Sequence, residues 1–270
     1  MEPILKYPGS KWRLTEWIIS HFPPHETYLE PFFGSGAVFF NKTPSRIETI
    51  NDIDDNVVNL FKVIRDQPEE LAAMIELTPW ARNEYYASYE KTGEPLEDAR
   101  RFLVRCWQAF GGRMNRKSGW SSNCGSNGAN FVDGWRQMPE VIIAAAKRFQ
   151  KTQIENQPAI KLIERYNKEN VLIYADPPYP LSTRSGKYYA HEMTDEDHIQ
   201  LLEALDNHPG PVILSGYACP LYDERLRHWD RRTHKALAEG GVAREEVLWL
   251  NPVAAKWQNH LFSIGSDLNG

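Results

Sequence analysis

The chain has few cysteines, no long apolar run and no excess of positive charge. Its three cysteines, spread over 270 residues without C-x-x-C spacing, argue against a disulfide framework and against a zinc site. No stretch approaches the roughly 18 apolar residues of a membrane span, and the first residues lack an apolar signal segment. We therefore expect a cytoplasmic protein without a membrane partner. A net charge of −5 excludes a surface that is basic everywhere, so nucleic-acid contact requires a local patch.

Strand-like segments alternate with helix-like segments along much of the chain. The residues from Thr27 to Glu30 and from Ile47 to Ile50 predict two strands, and the second is followed by a predicted helix from about Asp55 to Arg65. A third strand ends at Asp176, and Thr194 is placed to cap the helix after it. Strands that alternate with helices indicate an α/β fold with a parallel sheet.

The last third of the chain predicts further strands. A buried strand is expected over Gly210–Ser215, and two more over Arg225–Thr233 and Glu245–Leu250, joined by a glycine-rich turn. An antiparallel pair of this kind can close a parallel sheet.

The middle of the chain has a mostly helical pattern. We predict one domain formed by residues 1–66 and 151–270, with residues 67–150 as a helical insertion. Within the insertion, residues 99–132 carry six basic residues and no acid. A polar, glycine-rich segment lies inside this basic stretch. The basic stretch either contacts phosphates or is an ordinary solvated helix followed by a loop.

The segment Val171–Tyr179 is a buried-strand pattern that ends in Asp-Pro-Pro-Tyr. Two consecutive prolines cannot continue a sheet, so the chain must turn there. This places the acid at the carboxyl end of a strand, where open α/β sheets bind ligands. A carboxylate, outward proline carbonyls and an aromatic ring can together hold a planar amino group. The alternative is a structural turn with a solvated acid. The four residues concerned are Asp176, Pro177, Pro178 and Tyr179.

Two further segments have the character of a ligand site. Glu30–Gly36 places glycines where a strand turns into a helix, which indicates either ligand binding or tight packing. Asp52 ends the next strand about 20 residues later, where nucleotide-binding folds keep an acid for ribose hydroxyls. Asp52 is alternatively a helix N-cap, a role for which Asp54 and Asp55 compete. Together these segments favour an adenosine-type ligand.

The first motif, Lys6–Lys11, combines an aromatic residue, a tight turn and a cation, and a helix is expected to begin after it at about Trp12. Such a turn can hold a carboxylate through Lys11 and backbone N–H groups, or the lysine is simply solvated.

Taken in order, four motifs resemble those of the Dam-like DNA adenine N6-methyltransferases: K-Y-P-G-S-K, E-P-F-F-G-S-G, N-D-I-D-D-N and D-P-P-Y. The similarity extends to S-G-Y, P-L-Y and E-V-L-W-L-N-P near the end. The resemblance implies a Rossmann-like class I methyltransferase sheet of seven strands with an antiparallel last hairpin. It also implies S-adenosyl-L-methionine as methyl donor and adenine in double-stranded DNA as acceptor, with or without a cognate restriction endonuclease as partner.

The same resemblance assigns roles to individual residues. Asp52 takes the ribose hydroxyls of the cofactor, and Asp176 lies beside both the methyl donor and the target amine. Glu155 and Asn156 flank the cofactor adenine. The other cofactor contacts that it implies are Tyr7, Gly9, Lys11, Glu30, Phe32, Gly34, Ser35, Gly36 and Ile53.

A base inside a duplex cannot present its amine to the donor, so we expect the target adenine to be flipped out. Basic and amide side chains of the insertion, together with the loop after D-P-P-Y, are candidates to hold the opened DNA. The predicted DNA contacts are Arg100, Arg105, Arg113, Asn115, Arg116, Lys117, Arg184 and Lys187.

Two alternatives remain at this point. The grip of D-P-P-Y suits other planar amines, such as cytosine N4, RNA adenine or a protein amide, although in the related families the acid favours adenine. A DNA-binding protein or cofactor sensor on the same fold is the other alternative. The intact motif residues Tyr7, Lys11, Asp52 and Asp176 argue against it.

Overall fold

A seven-stranded mixed sheet forms the centre of the computed structural model, which describes residues 1–110, 117–122, 131–184, 186, 188–237 and 243–257. The strand order is β3-β2-β1-β4-β5-β7-β6, and β7 runs antiparallel to both of its neighbours while the other pairs are parallel. The expected seven-stranded α/β sheet with an antiparallel last hairpin is therefore confirmed. The strands are β1 (Thr27–Glu30), β2 (Ile47–Asn51), β3 (Thr152–Glu155), β4 (Val171–Ala175), β5 (Val212–Tyr217), β6 (Asp230–Leu237) and β7 (Ala243–Leu250).

Helices cover both faces of this sheet. Along β4, Leu172 and Tyr174 belong to one buried cluster and Ile173 to a second, because successive side chains of a strand point to opposite faces. The first cluster includes residues of α1 to α7, and the second includes residues of α8 to α10. The helices are α1 (Thr15–Ile19), α2 (Ala37–Asn41), α3 (Asp55–Asp66), α4 (Pro68–Glu76), α5 (Arg82–Ala87), α6 (Pro95–Gln108), α7 (Phe131–Phe149), α8 (Ala159–Arg165), α9 (Asp195–Asp206) and α10 (Pro220–Arg225).

The described part of the segment between α3 and β3 is mostly helical, as the sequence predicts. Its last helix is tied to the sheet by a buried ion cluster, in which the Glu48 carboxylate of β2 meets Lys42 at 2.5 Å and Arg148 of α7. Burial of charges is tolerated when they are paired in this way. The division into a domain of residues 1–66 and 151–270 and an insertion of residues 67–150 remains a prediction.

The caps of two helices follow the sequence. Thr194 forms a capping box with Asp197 at the start of α9, as predicted. At the start of α3 the side chain of Asp54 accepts a hydrogen bond from the backbone N–H of Asn56. Asp54 is therefore the N-cap, and Asp52 is left for another role.

Two predicted boundaries are wrong. The strand expected over Arg225–Thr233 begins only at Asp230, because α10 occupies Pro220–Arg225. Proline favours the first turn of a helix, and Tyr222 of α10 is fully buried with its hydroxyl 2.9 Å from Nδ1 of His198. The first helix, expected at about Trp12, begins at Thr15 after a tight turn.

Candidate active site

The candidate site lies where the strand order reverses. The chain continues from β1 toward β2 and β3 on one side, and from β4 toward β5 on the other. Crevices at the carboxyl ends of strands beside such a switch point are the usual ligand sites of open α/β sheets. A cavity of ≈ 330 Å³ occupies this position. Eleven of the predicted site residues line it: Tyr7, Gly9, Lys11, Glu30, Phe32, Gly34, Ser35, Asp52, Ile53, Asp176 and Pro178.

The first motif, K-Y-P-G-S-K, packs onto the turn after β1. Ser10 Oγ lies 2.8 Å from Ser35 Oγ, and a Cβ atom on Gly34 would lie 3.4 Å from the Tyr7 ring. Gly9 has a φ of 72°, a backbone conformation that favours glycine, and its Cα faces the hydroxyl of Tyr189. Segments that are far apart in the sequence therefore form one wall of the cavity.

Gly36 serves the fold rather than the cavity. Its φ is 66°, and a Cβ at this position would overlap the rings of Phe33 and Phe40. It turns the chain into α2 and does not line the cavity. Its predicted cofactor contact remains a prediction.

Asp52 connects β2 to the turn after β1. One carboxylate oxygen accepts the backbone N–H of Gly34 at 2.8 Å, and the other accepts that of Asp54 at 2.9 Å. Burial raises the pKa of Asp52 to about 6, although these two hydrogen bonds oppose the change. Each carboxylate oxygen keeps further acceptor capacity. Asp52 can therefore also accept hydrogen bonds from ligand hydroxyls.

Glu30 is a second acid of the cavity wall. It is 2% exposed at the end of β1, and its carboxylate accepts the hydroxyl of Tyr28 at 2.7 Å. Burial raises the pKa of Glu30 to about 8, and the nearby charge of Asp176 acts in the same direction. The hydrogen bond from Tyr28 acts in the opposite direction. Glu30 is therefore a neutral carboxylic acid in the cavity wall below about pH 8 and a carboxylate above it.

Asp176 is the acid at the end of β4. Its Oδ2 lies 3.0 Å from Lys11 Nζ, whereas its Oδ1 is buried and finds no hydrogen-bond donor among the residues that the structure describes. Burial raises the pKa of Asp176 to about 6, and the Lys11 ammonium opposes this change. Burial alone would lower the pKa of Lys11, but Asp176 and Glu246 together hold it above its ordinary value. Oδ1 is therefore available to accept a hydrogen bond from a bound ligand.

Tyr179 lies behind this acid. It is 5% exposed, its hydroxyl donates to Glu246, and its ring packs edge-on against Tyr217 with 4.6 Å between centroids. The Lys11 ammonium lies 4.7 Å from the centroid of the same ring. Neither Tyr179 nor Pro177 lines the cavity. The stacking of Tyr179 on a target base remains a prediction.

Other lining residues were not predicted. Pro158, Ala159 and Ile160 follow β3, which is two strands away from β1 in the sheet. The loop after D-P-P-Y adds lining residues too: Tyr189, His191, Glu192 and Met193. The signal for the first group is a proline shortly after a strand, which was available in the sequence.

The two residues expected to flank the cofactor adenine lie just before this group and do not line the cavity. Asn156 donates to the carbonyl of Asp52 at 3.0 Å, and Glu155 forms an ion pair with Arg165.

The basic side chains predicted to contact DNA have varied surroundings. Arg100 pairs with Glu97 at 2.7 Å and with Glu84 at 2.9 Å, and Arg184 forms an ion pair with Glu192. These internal partners already occupy both guanidinium groups.

The remaining predicted contacts differ from these two. Arg105 donates to the carbonyl of Ser88, and exposed Lys117 lies over the rings of Tyr86 and Tyr89. Four predicted contacts lie outside the described residues: Arg113, Asn115, Arg116 and Lys187.

The described part of the chain lacks two structural features. It holds no group of three or more His, Cys, Asp or Glu side chains arranged for a metal ion. None of its helices combines the length and apolarity needed to cross a membrane.

The sheet topology and the cavity at its switch point define an α/β protein with a ligand site at the carboxyl ends of its strands. Residues 7–236 match the family model of D12 class N6 adenine-specific DNA methyltransferases, so the chain belongs to that family. The expected reaction, methylation of adenine N6 in DNA, is thereby confirmed.

Individual proteins are also similar to this chain. The type II methyltransferase M1.LlaDCHI of Lactococcus lactis subsp. cremoris is 29% identical, with 90% of each chain covered. A DNA adenine methylase of Vibrio cholerae is 29% identical over 74% of each chain. The DNA adenine methylase of Escherichia coli K12 is 25% identical over 90% of this chain and 91% of its own.

Proposed function

We propose that Asp52 and the turn after β1 hold S-adenosyl-L-methionine, and that Asp176 Oδ1 and the Pro177 carbonyl accept the target amine. One observation carries the proposal. A buried carboxylate oxygen without a described donor, at the wall of a ligand-sized cavity, is costly unless a ligand donates to it. An exocyclic NH2 group provides two such donors.

The residues fit the cofactor. Asp52 retains acceptor capacity for the two ribose hydroxyls, and Gly34 keeps the backbone open beside Tyr7. Ile53 is 44% exposed at the cavity wall and offers an apolar surface for an adenine ring. S-adenosyl-L-methionine supplies an electrophilic methyl group on a sulfonium.

In this proposal Asp176 acts on the amine of the target base and not on the methyl donor. The lone pair of an aromatic amine is delocalised into the ring, which makes the nitrogen a poor nucleophile. Hydrogen bonds to Asp176 and Pro177 would draw the nitrogen toward tetrahedral geometry and stabilise the positive charge that develops on it. Lys11, 3.0 Å from Asp176, keeps this carboxylate anionic near neutral pH by lowering its pKa. The rest of the rate would come from alignment of the reacting atoms.

Basic and amide side chains of the insertion and of the loop after D-P-P-Y are proposed to hold the DNA from which the adenine is flipped out, at a cost of a few kcal/mol for opening the base pair. Among the described residues, Lys117 is exposed and suited to a phosphate. Arg100 and Arg184 would have to exchange their acidic partners for phosphates. The other proposed contacts are Arg105, Arg113, Asn115, Arg116 and Lys187.

Labelled cofactor and plasmid DNA test the assignment. We expect label in N6-methyladenine with the wild-type protein and none with Asp176→Asn, which keeps the shape and removes the charge. Asp66→Asn is the matched control, because Asp66 is an exposed acid paired with Arg65. Label in N4-methylcytosine, or full transfer by Asp176→Asn, would contradict the proposal.

Mapping the modified adenines at single-base resolution tests the biological partner. A fixed sequence around each site is expected if the enzyme protects DNA from a cognate restriction endonuclease. Methylation without a common sequence would argue against such a partner.

A further inference from the structure

Glu246 of β7 meets the candidate site from the side of the antiparallel hairpin. It is 3% exposed, pairs in register with Tyr217 of β5 and accepts the hydroxyl of Ser215 at 3.1 Å. Its carboxylate also accepts the hydroxyl of Tyr179 and lies 3.4 Å from Lys11 Nζ. One buried acid therefore contacts two predicted residues of the site.

The contacts of the Lys11 ammonium indicate what Glu246 contributes to the site. An ammonium has three N–H groups. Lys11 Nζ lies 2.9 Å from the Gly9 carbonyl, 3.0 Å from Asp176 Oδ2 and 3.4 Å from Glu246 Oε1. These three oxygens surround the ammonium, and Glu246 acts on it through its charge. Without that charge, the ammonium would be freer to turn an N–H toward Asp176 Oδ1.

We propose that Glu246 is a positioning residue for methyl transfer. It holds the Lys11 ammonium and the Tyr179 phenol in place, so that Asp176 Oδ1 stays available to the target amine. The inference rests on the role proposed above for Asp176. Glu246 itself acts only through Lys11 and Tyr179.

The negative charge of Glu246 also affects the ionisation of Asp176. Two buried acids share one lysine, so the cluster has an excess negative charge that opposes ionisation of Asp176. Neutralising Glu246 should therefore lower the pKa of Asp176. Among the described residues, the titratable groups that interact electrostatically with Asp176 are Lys11, Glu30, Tyr174, Tyr179, Tyr189, Tyr222 and Glu246.

Glu246→Gln separates charge from shape, because an amide oxygen still accepts from Tyr179 and Ser215. We expect kcat at pH 8 to fall roughly tenfold, as misplacement near the reacting atoms predicts, with an unchanged KM for the cofactor. We also expect the acidic limb of the kcat profile to move ~1 pH unit lower, in the range for loss of a neighbouring like charge. Glu245→Gln is the matched control, since Glu245 precedes it on β7 and is 48% exposed.

The outcomes distinguish the two proposals. A wild-type protein that transfers no methyl group refutes the proposed function. An active wild type together with a Gln variant whose kcat or acidic limb is unchanged refutes the inference alone. A merely structural role would lower stability and leave the limb where it was.

If Glu246→Gln does not fold, Tyr179→Phe provides the test, because it keeps the ring and removes the donor to Glu246. We expect a lower kcat with an unchanged KM for the cofactor. A kcat at the wild-type value would overturn the inference.

Discussion

Replacing Asp176 by Asn should make the protein more stable while it abolishes methyl transfer. The pKa of Asp176 is raised in the folded state from 3.8 to about 6, so the folded protein binds this proton more tightly than the unfolded chain does. A carboxyl group whose pKa is higher in the folded than in the unfolded state stabilises the fold at a pH below its pKa in the unfolded state. This stabilisation is lost as pH rises through its pKa in the folded state. At pH 8 the ionised Asp176 therefore destabilises the fold.

The magnitude follows from the two pKa values. A difference of about two pKa units corresponds to ~3 kcal/mol above pH 6, at about 1.4 kcal/mol for each unit. The side chain of Asp176 is 19% exposed, so solvent screens little of this effect. Asn mimics the protonated acid in shape and charge. The gain of Asp176→Asn should therefore be ~3 kcal/mol at pH 8, about half of that at pH 5 and near zero below pH 4.

Urea unfolding at pH 4, 5 and 8 measures this gain as a difference in the free energy of unfolding. The control is Asp66→Asn, because Arg65 lowers the pKa of Asp66 and its loss offers no gain at high pH. A variant less stable than the wild type at pH 8, or a gain that does not change with pH, would refute the reasoning. The first result would mean that the ion pair with Lys11 outweighs the burial of the acid.

Three further predictions concern the same scaffold. The rate of methyl transfer should fall as pH is lowered through about 6, because the proposed acceptor Asp176 becomes protonated; a kcat profile that is flat from pH 5 to 8 would contradict this. Gly36→Ala should cost ~2–4 kcal/mol in thermal unfolding, since it adds a clash with Phe33 to the strain of a positive φ, whereas Gly93→Ala, at a φ of 84° in open space, should cost only ~1 kcal/mol. Thr194→Ala should cost ~1 kcal/mol through loss of the α9 capping box, and an unchanged melting temperature would count against that role.

The strands and their acids could be predicted from local sequence. The apolar pattern before Asp176, and the glycine turn after β1, are properties of a few consecutive residues and are confirmed as β4 and as the turn into α2. The alternative of an N-cap for Asp52 was open in the sequence because several acids stand close together. Only backbone geometry decides it, and the cap belongs to Asp54.

Partners of buried charges could not be predicted in the same way. Arg100 lies in a stretch without acids, yet its partner Glu97 stands three residues before it on the same helix, just outside that stretch. A count of charges within a window misses a partner one helical turn away. The basic stretch therefore predicts a larger free positive surface than its described residues provide.

Glu246 is the partner of a buried charge that is hardest to predict from the sequence. The order of the strands in the sheet, and not proximity along the chain, brings it to the site. It is 67 residues from Tyr179 along the chain, and it reaches the cluster because β7 is inserted between β5 and β6. Glu246 is the first residue of E-V-L-W-L-N-P, and no local feature of that segment indicates a role for it. Yet a lysine shared between two buried acids leaves one negative charge without a partner, which costs stability. Such a cost beside the cavity is expected where function, rather than folding, determines the residue.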